Sequence, residues 1–320
     1  MLMAVLLFAS QPPIIIAHRG SSAERPEHTL AAYERAIDQG SDYIEPDLVI
    51  SKDGVLIARH ENEISGTTDV AARPEFADRK ATKTIDGDKI TGWFTEDFTL
   101  AELKTLRAKE RLPLIRSASK AYDGQYEIPT LAEIGALVKE KSKGRKRPIG
   151  MYPETKHPTY FRGIGLPLEE PLLKELSAQK LRRGYPIFIQ SFEIDNLKAL
   201  RKQTKWPLVQ LIDADASAAK LTSDEGLKEI KKYADGIGVA KDLVISRENG
   251  NLGKPTGLVA RAHRLGLKVH VWTFRPENPF LPKNLTNNPE EEIRQFLATG
   301  IDGLFADLPG MAVAVRDGKK

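Results

Sequence analysis

Short β-branched runs alternate with helix-like stretches along nearly the whole chain, and such alternation calls for a parallel sheet wound through βαβ units. The first run, Ile14-Ile15-Ile16-Ala17, is apolar at every position, as a strand buried on both faces should be. Thr29 then opens a helix that ends near Gly40, and Tyr43 to Ile50 forms the next strand. The same grammar returns near the C-terminus. A helix through Ala262 stops at Gly266 before the strand Lys268 to Thr273. Another starts at Asn288-Pro289, stops at Gly300 and precedes the strand Gly303 to Ala306. Proline in a first turn and glycine past a last turn are the expected terminators.

Four further strands are predicted between these, at Ile149 to Tyr152, Ile187 to Gln190, Leu208 to Leu211 and Asp235 to Val239. Helical stretches separate them, notably Thr130 to Lys141, which the capping box Thr130-x-x-Glu133 opens. Eight strands with intervening helices and right-handed crossovers close into an α/β fold of the (β/α)8, or TIM-barrel, type. A doubly wound open sheet is the rival arrangement, but no glycine-rich nucleotide loop follows the first strand.

The chain of 320 residues suits one barrel domain, residues 1–320, carrying an insertion. Ser51-Lys52-Asp53-Gly54 reads as a tight turn and Val55 to His60 as a returning strand, so a β-hairpin grows out of the second strand. From Glu61 to about Tyr126 comes a long polar insertion with its own capped helix at Thr99-x-x-Glu102 and the run Gly92-Trp93-Phe94. Its aromatics favour an inserted subdomain over the barrel mouth rather than a linker.

Net charge is +4 with a pI near 9.0, a modest positive balance that suits an anionic substrate. The densest basic run, Lys139 to Arg147, reads as a solvated helix end and loop rather than a nucleic-acid arm. There is no cysteine, which excludes disulfides, thiolate metal sites and cysteine nucleophiles. The first residues, MLMAVLLFASQ, carry an apolar stretch without the basic start of a signal peptide. They read as the remnant of an export signal, placing the protein in the periplasm or outside the cell, or as a first strand and cap of a cytoplasmic protein. No later stretch approaches the roughly 18 apolar residues of a membrane helix.

In such barrels chemistry gathers where strands end at the C-terminal edge. The first strand delivers His18-Arg19-Gly20 there. The second delivers Glu45 and Asp47, which lie two apart and therefore share a face. A hairpin turn centred between Lys52 and Asp53 brings His60 back opposite Glu45, within the one or two residues a bulge could shift it. The strand after the insertion ends in Glu154-Thr155-Lys156, and others end in Gln190-Ser191-Phe192, Trp272-Thr273-Phe274 and Asp307. Three unpaired carboxylates in an apolar mouth repel one another, and a bound cation resolves that. Oxygen ligands alone select a hard ion, Mg²⁺ or Ca²⁺. Arg19 and Lys156 are then free to hold a phosphate, while His18 and His60 move protons.

Each group also has a structural reading. Two acids on one strand could pair with Arg19 and Lys156 with no metal, and Trp272 and Phe274 could be barrel core. His28, His157, His263 and His270 are assigned structural or surface roles. Convergence of several strands on one edge favours the catalytic reading.

The stretch IIAHRGSSAERPEHTLAAYERAIDQGSDYIEPDLVISKDGVLIARH resembles the N-terminal signature of the glycerophosphodiester phosphodiesterases, and YPETK, QSF, VWTF and GLFADLPG resemble that family's later strand ends. The long insertion is similar to that of exported bacterial members. The resemblance implies hydrolysis of glycerophosphodiesters, the deacylated phospholipids, to glycerol 3-phosphate and an alcohol. It implies His18 and His60 as an acid–base pair, and Glu45, Asp47 and Glu154 as ligands of one Ca²⁺ or Mg²⁺. Arg19 and Lys156 would contact phosphate, Glu27 would orient Arg19, and Phe274 with Trp272 would border the glycerol carbons. The sequence departs from the family pattern at His28, where asparagine is frequent, and at Glu61, where aspartate is common. Two alternatives are a phospholipase D-like or phosphoinositide-cleaving relative on the same barrel, and a non-catalytic surface protein that binds phosphodiesters.

Overall fold

The computed structural model describes residues 12–179 and 185–319. The apolar N-terminal run, read as an export remnant or a first strand, lies outside the described residues. The barrel strands are Ile14–His18, a second in two pieces (Tyr43–Glu45 and Asp47–Ile50), and a third in two pieces (Gly150–Met151 and Glu154–Thr155). They continue with Ile189–Ser191, Leu208–Ile212, Gly236–Ala240, Lys268–Phe274 and Gly303–Ala306. Neighbours pair in parallel all the way round, and Ile14–His18 closes the ring by pairing with both Tyr43–Glu45 and Gly303–Ala306. The second strand breaks at Pro46, which has no amide proton for the ladder, and the third breaks beside it at Tyr152-Pro153. Pairing resumes across both gaps, with Asp47 opposite Glu154.

Helices alternate with these strands as the periodicity predicts. Leu30–Asp38 follows the first strand, capped by Thr29 Oγ1, which accepts from the Ala32 amide at 3.1 Å. Leu131–Lys141 carries the full reciprocal capping box of Thr130 and Glu133. Glu169–Ala178, Ile194–Arg201, Asp224–Lys231, Leu258–Arg264, Pro289–Leu297 and Pro309–Arg316 complete the outer layer. The main apolar core lies between strands and helices. A smaller cluster of Ile16, Tyr152, Phe188, Val209 and Phe305 packs separately. There Tyr152 stacks on Phe188 at 5.0 Å and shares a hydrogen bond with His270 Nδ1 at 2.7 Å, so that buried histidine is satisfied within the core.

Two excursions leave the barrel. After the second strand Leu56–Ala58 returns antiparallel, one residue out of the expected register: Leu48 faces Ala58 rather than Ile57. The turn therefore centres on Asp53, and Gly54 supplies its positive φ of 80°. The segment beyond it contains an antiparallel pair, Ala81–Ile85 with Asp88–Gly92, and the capped turn of helix Leu100–Leu103. Its Val70, Phe76, Trp93, Phe98 and Leu103 are buried in the same core as the barrel residues. The second excursion, the antiparallel pair Ile245–Glu248 and Asn251–Pro255, was not anticipated, although Asn249-Gly250 between two short runs is a strong hairpin signal. Among the described residues no helix is long and apolar enough to cross a membrane.

Candidate active site

Past His18 the backbone turns through two residues with positive φ, Arg19 at 60° and Gly20 at 88°. A Cβ at position 20 would lie 2.6 Å from the backbone carbon of Ala32, so this turn requires glycine. The turn folds Arg19 over the second strand. Its Nε is 3.3 Å from Asp47 Oδ2, its Nη1 is 3.2 Å from both Glu27 oxygens, and its amide donates to Glu45 Oε2 at 2.9 Å.

The two breaks at Pro46 and Pro153 sit side by side, and the acids beside them converge. One oxygen from each of Glu45, Asp47 and Glu154 lies within 4.8 Å of the others. All three residues are at most 6% exposed. Gln190 Nε2 donates to Glu45 Oε1 at 3.1 Å, and His28 Nε2 bonds Asp47 Oδ2 at 2.9 Å. Lys156 Nζ stands 3.1 Å from Glu154 Oε1, which accepts no hydrogen bond. Burial and the neighbouring carboxylates push Glu45 well above the usual range and Glu154 up to about 8. Burial alone would raise Asp47 too, but the His28 hydrogen bond and the Arg19 charge hold it well below. Three buried carboxylates, of which two resist ionising together, fit a hard divalent cation coordinated by oxygen.

Two imidazoles flank this cluster, each with Nδ1 held by a carboxylate. His18 Nδ1 lies 2.6 Å from Asp307 Oδ1, and His60 Nδ1 lies 2.8 Å from Glu61 Oε1. A carboxylate at Nδ1 fixes the proton there and leaves Nε2 for other partners. Burial and then the Arg19 charge depress both rings, His18 to about 4 and His60, which Lys156 also faces, to about 3. Both are therefore neutral near pH 7.

A cavity of about 350 Å³ opens onto His18, Arg19, Glu45, His60, Glu154, Lys156 and Trp272. Of the other residues expected at the site, Asp47 and Glu27 contact Arg19 from beneath it. Phe274 is a correction: it is 1% exposed and packs edge to face on Phe296 at 5.0 Å, in the barrel wall. The ladder register slips between Val271 and Phe274, and a place at the strand end does not by itself bring a ring into the cavity. Phe192 and Phe305 also line the cavity, and Phe192, 42% exposed, lies 5.8 Å from Trp272 in an edge-on arrangement.

Sequence reasoning left out several groups that the structure brings in. Asp307 was noted as a strand end but given no part, although it is the residue His18 bonds. His28 holds Asp47 with one nitrogen and Tyr33 Oη with the other, at 2.8 Å. Arg111, Arg275 and Asp213 also line the cavity, but they stand on loops without periodic pattern and carried no signal. His157, read as structural or surface, bridges Glu61 at 2.7 Å and Asp86 at 2.6 Å.

A closed parallel barrel with acids, imidazoles and cations crowded into one end of it defines a (β/α)8-barrel enzyme with a polar active-site mouth. The chain belongs to the glycerophosphoryl diester phosphodiesterase family, whose profile matches residues 18–311, and is by that membership a phosphoric diester hydrolase. A glycerophosphodiester phosphodiesterase of Arabidopsis thaliana is 40% identical over 93% of this chain and 84% of its own length. One from Haemophilus influenzae is 29% identical over 96% and 90%. Among solved structures, an Oleispira antarctica phosphodiesterase in complex with the product sn-glycerol-3-phosphate superposes with a TM-score of 0.68 at 20% identity, covering 96% of this chain and 97% of that one. That likeness establishes the barrel.

Proposed function

We propose that this enzyme hydrolyses glycerophosphodiesters to glycerol 3-phosphate and an alcohol, with Glu45, Asp47 and Glu154 holding a divalent cation and His18 and His60 moving the protons. The observation that carries this reading is the convergence of three buried carboxylates within 4.8 Å of one another, beside a cavity lined by two of them, by two carboxylate-anchored histidines and by the ion-paired Arg19 and Lys156. The cation would polarise the phosphoryl oxygens and offset the charge that builds on them in the transition state. Arg19 and Lys156 hold the phosphate, the former by its planar fork and the latter as a point charge. Burial is the main cause of the low basicity of both imidazoles, and the Arg19 charge adds to it; an anionic phosphate held by Arg19 would offset that second contribution and raise their basicity. One imidazole then takes the proton of the nucleophile and the other protonates the leaving alkoxide.

Besides Arg19 Nε and Glu154 Oε1, two uncharged buried atoms of cavity-lining residues make no hydrogen bond within the protein, the Trp272 indole Nε1 and Gln190 Oε1. They offer a donor and an acceptor to a hydroxylated ligand, while the rings of Trp272 and Phe192 cover its carbon skeleton. The apolar run at residues 2–9 supports export to the periplasm or beyond, and cell fractionation tests that placement.

The decisive assay is release of glycerol 3-phosphate from glycerophosphocholine, before and after chelation and then with Ca²⁺ or Mg²⁺ returned. Activity lost on chelation and recovered with one of these ions is the expected outcome. A rate that chelation leaves untouched removes the cation from the mechanism.

A further inference from the structure

The excursion after the second strand reaches the residues that support the site. Two of its arginines reach the supports of two adjacent residues, His18 and Arg19. Arg116, 4% exposed, donates from Nη2 to Asp307 Oδ2 at 2.5 Å and from Nε to Glu277 Oε1 at 2.6 Å, and its Nη1 reaches the Ser22 carbonyl at 3.2 Å. The other Asp307 oxygen is the one His18 Nδ1 meets at 2.6 Å. Arg275 Nε also donates to Oδ2, at 3.1 Å. Five positions before Arg116, Arg111 Nε donates to Glu27 Oε2 at 2.9 Å, and Glu27 in turn faces Arg19 Nη1 with both oxygens at 3.2 Å. The two chains run in parallel: Arg116 to Asp307 to His18, and Arg111 to Glu27 to Arg19.

We propose that Arg111 and Arg116 are positioning residues, through which the inserted segment sets the imidazole of His18 and the guanidinium of Arg19 for phosphodiester cleavage. The inference rests on the functional reading above and extends it to a segment that contributes only one of the expected site residues at its edge. The physical need is plain. A buried carboxylate with one partner can rotate, and it carries its imidazole with it, whereas one gripped on both oxygens cannot. Glu27 has the parallel task. Arg19 is also drawn toward Asp47 at 3.3 Å, and a Glu27 anchored from behind keeps its fork facing the cavity rather than collapsing onto the metal-site acid.

The two arms predict different kinetics. Arg116 acts through the proton-transfer residue, so Arg116→Ala lowers kcat by about tenfold or more, in the range typical of lost outer-shell partners, with KM little changed. Guanidinium added to that variant restores part of kcat, because a small cation can refill the position; a purely structural defect does not respond to it. Arg111 acts through the phosphate-holding residue, so Arg111→Ala raises KM by several-fold with a smaller effect on kcat. Arg111 also lines the cavity, so a direct contact with substrate must be distinguished. In the Glu27→Gln background, Arg111→Ala adds little further if it works through Glu27, and adds its full effect if it touches substrate. Glu277→Gln serves as the gentler variant should Arg116→Ala fail to fold, and a severalfold drop in kcat is expected from it. Full kcat in Arg116→Ala or, where that does not fold, in Glu277→Gln overturns the proposal for Arg116, and full additivity overturns it for Arg111. Wild-type protein that releases no glycerol 3-phosphate would instead overturn the functional reading on which the proposal stands.

Discussion

At the scale of single residues, the site depends on pairs of neighbouring groups rather than isolated side chains. Replacing His18 or His60 with alanine is expected to cost about 10²- to 10⁴-fold in kcat, the contribution of a positioned proton-transfer group; a variant of either that turns over normally refutes the acid–base pair. Phe274→Ala belongs to another class. Because Phe274 is packed on Phe296, its loss should destabilise the fold by about 3–5 kcal/mol while KM at moderate temperature stays near wild type. Denaturant unfolding paired with steady-state kinetics separates these, and a raised KM in a stable Phe274→Ala would return that ring to the substrate wall. The residues readable from sequence were those that stand in line at strand ends or beside a turn, Glu154 and His60 among them. Glu45 and Asp47 are two apart on one strand, and His18, Arg19 and Gly20 are consecutive. The unreadable ones are supports that only tertiary closure supplies: Asp307 stands 289 positions from His18, and no spacing rule joins them. Phe274 shares a strand end with Trp272, a position that says nothing of facing where the register slips.

At the scale of elements, local signals and final structure agree closely where the signal is chemical. Thr29, Thr130 and Thr99 were each read as helix starts, and each caps one. Thr130→Ala should therefore cost about 1 kcal/mol, the usual worth of such a cap, measured as a shift in the urea midpoint with an unchanged slope; no shift would mean the helix is held by packing alone. Gly20→Ala should cost more, because the added methyl meets Ala32 backbone in a turn of positive φ, and it should disturb His18 and Arg19 together. The eight barrel strands were legible because both their faces are buried, which forces continuous apolar runs. Register was harder. The hairpin register differs by one residue from the expected pairing, a shift that composition cannot resolve. The pair Ile245–Glu248 with Asn251–Pro255 escaped notice because its strands are short and half polar, despite the Asn-Gly between them.

For the molecule as a whole, charge in the barrel mouth couples cation, proton and fold. Glu154 has a folded pKa of about 8 against an ordinary 4.5, and Glu45 is raised as well. Between those limits the cation-free folded protein binds protons that the unfolded chain has released, so this contribution is fully present below about pH 4.5 and fades as pH rises through 8. A divalent cation held by Glu45, Asp47 and Glu154, as proposed, would take the place of those protons. Millimolar Ca²⁺ or Mg²⁺ should therefore raise the melting temperature, and by more at pH 8 than at pH 6, where protons compete for the same oxygens. Differential scanning fluorimetry across that range checks it, and an equal shift at both pH values, or one that persists in Glu154→Gln, points to binding elsewhere. The contact between His18 and Asp307 has a last consequence, for how the protein comes into being. His18, proposed to move protons, precedes by 289 positions the aspartate that holds its ring, so full turnover is expected only once the strand bearing Asp307 has closed the barrel. The onset of turnover during refolding should consequently report the sealing of the cylinder, an event that no earlier intermediate can imitate.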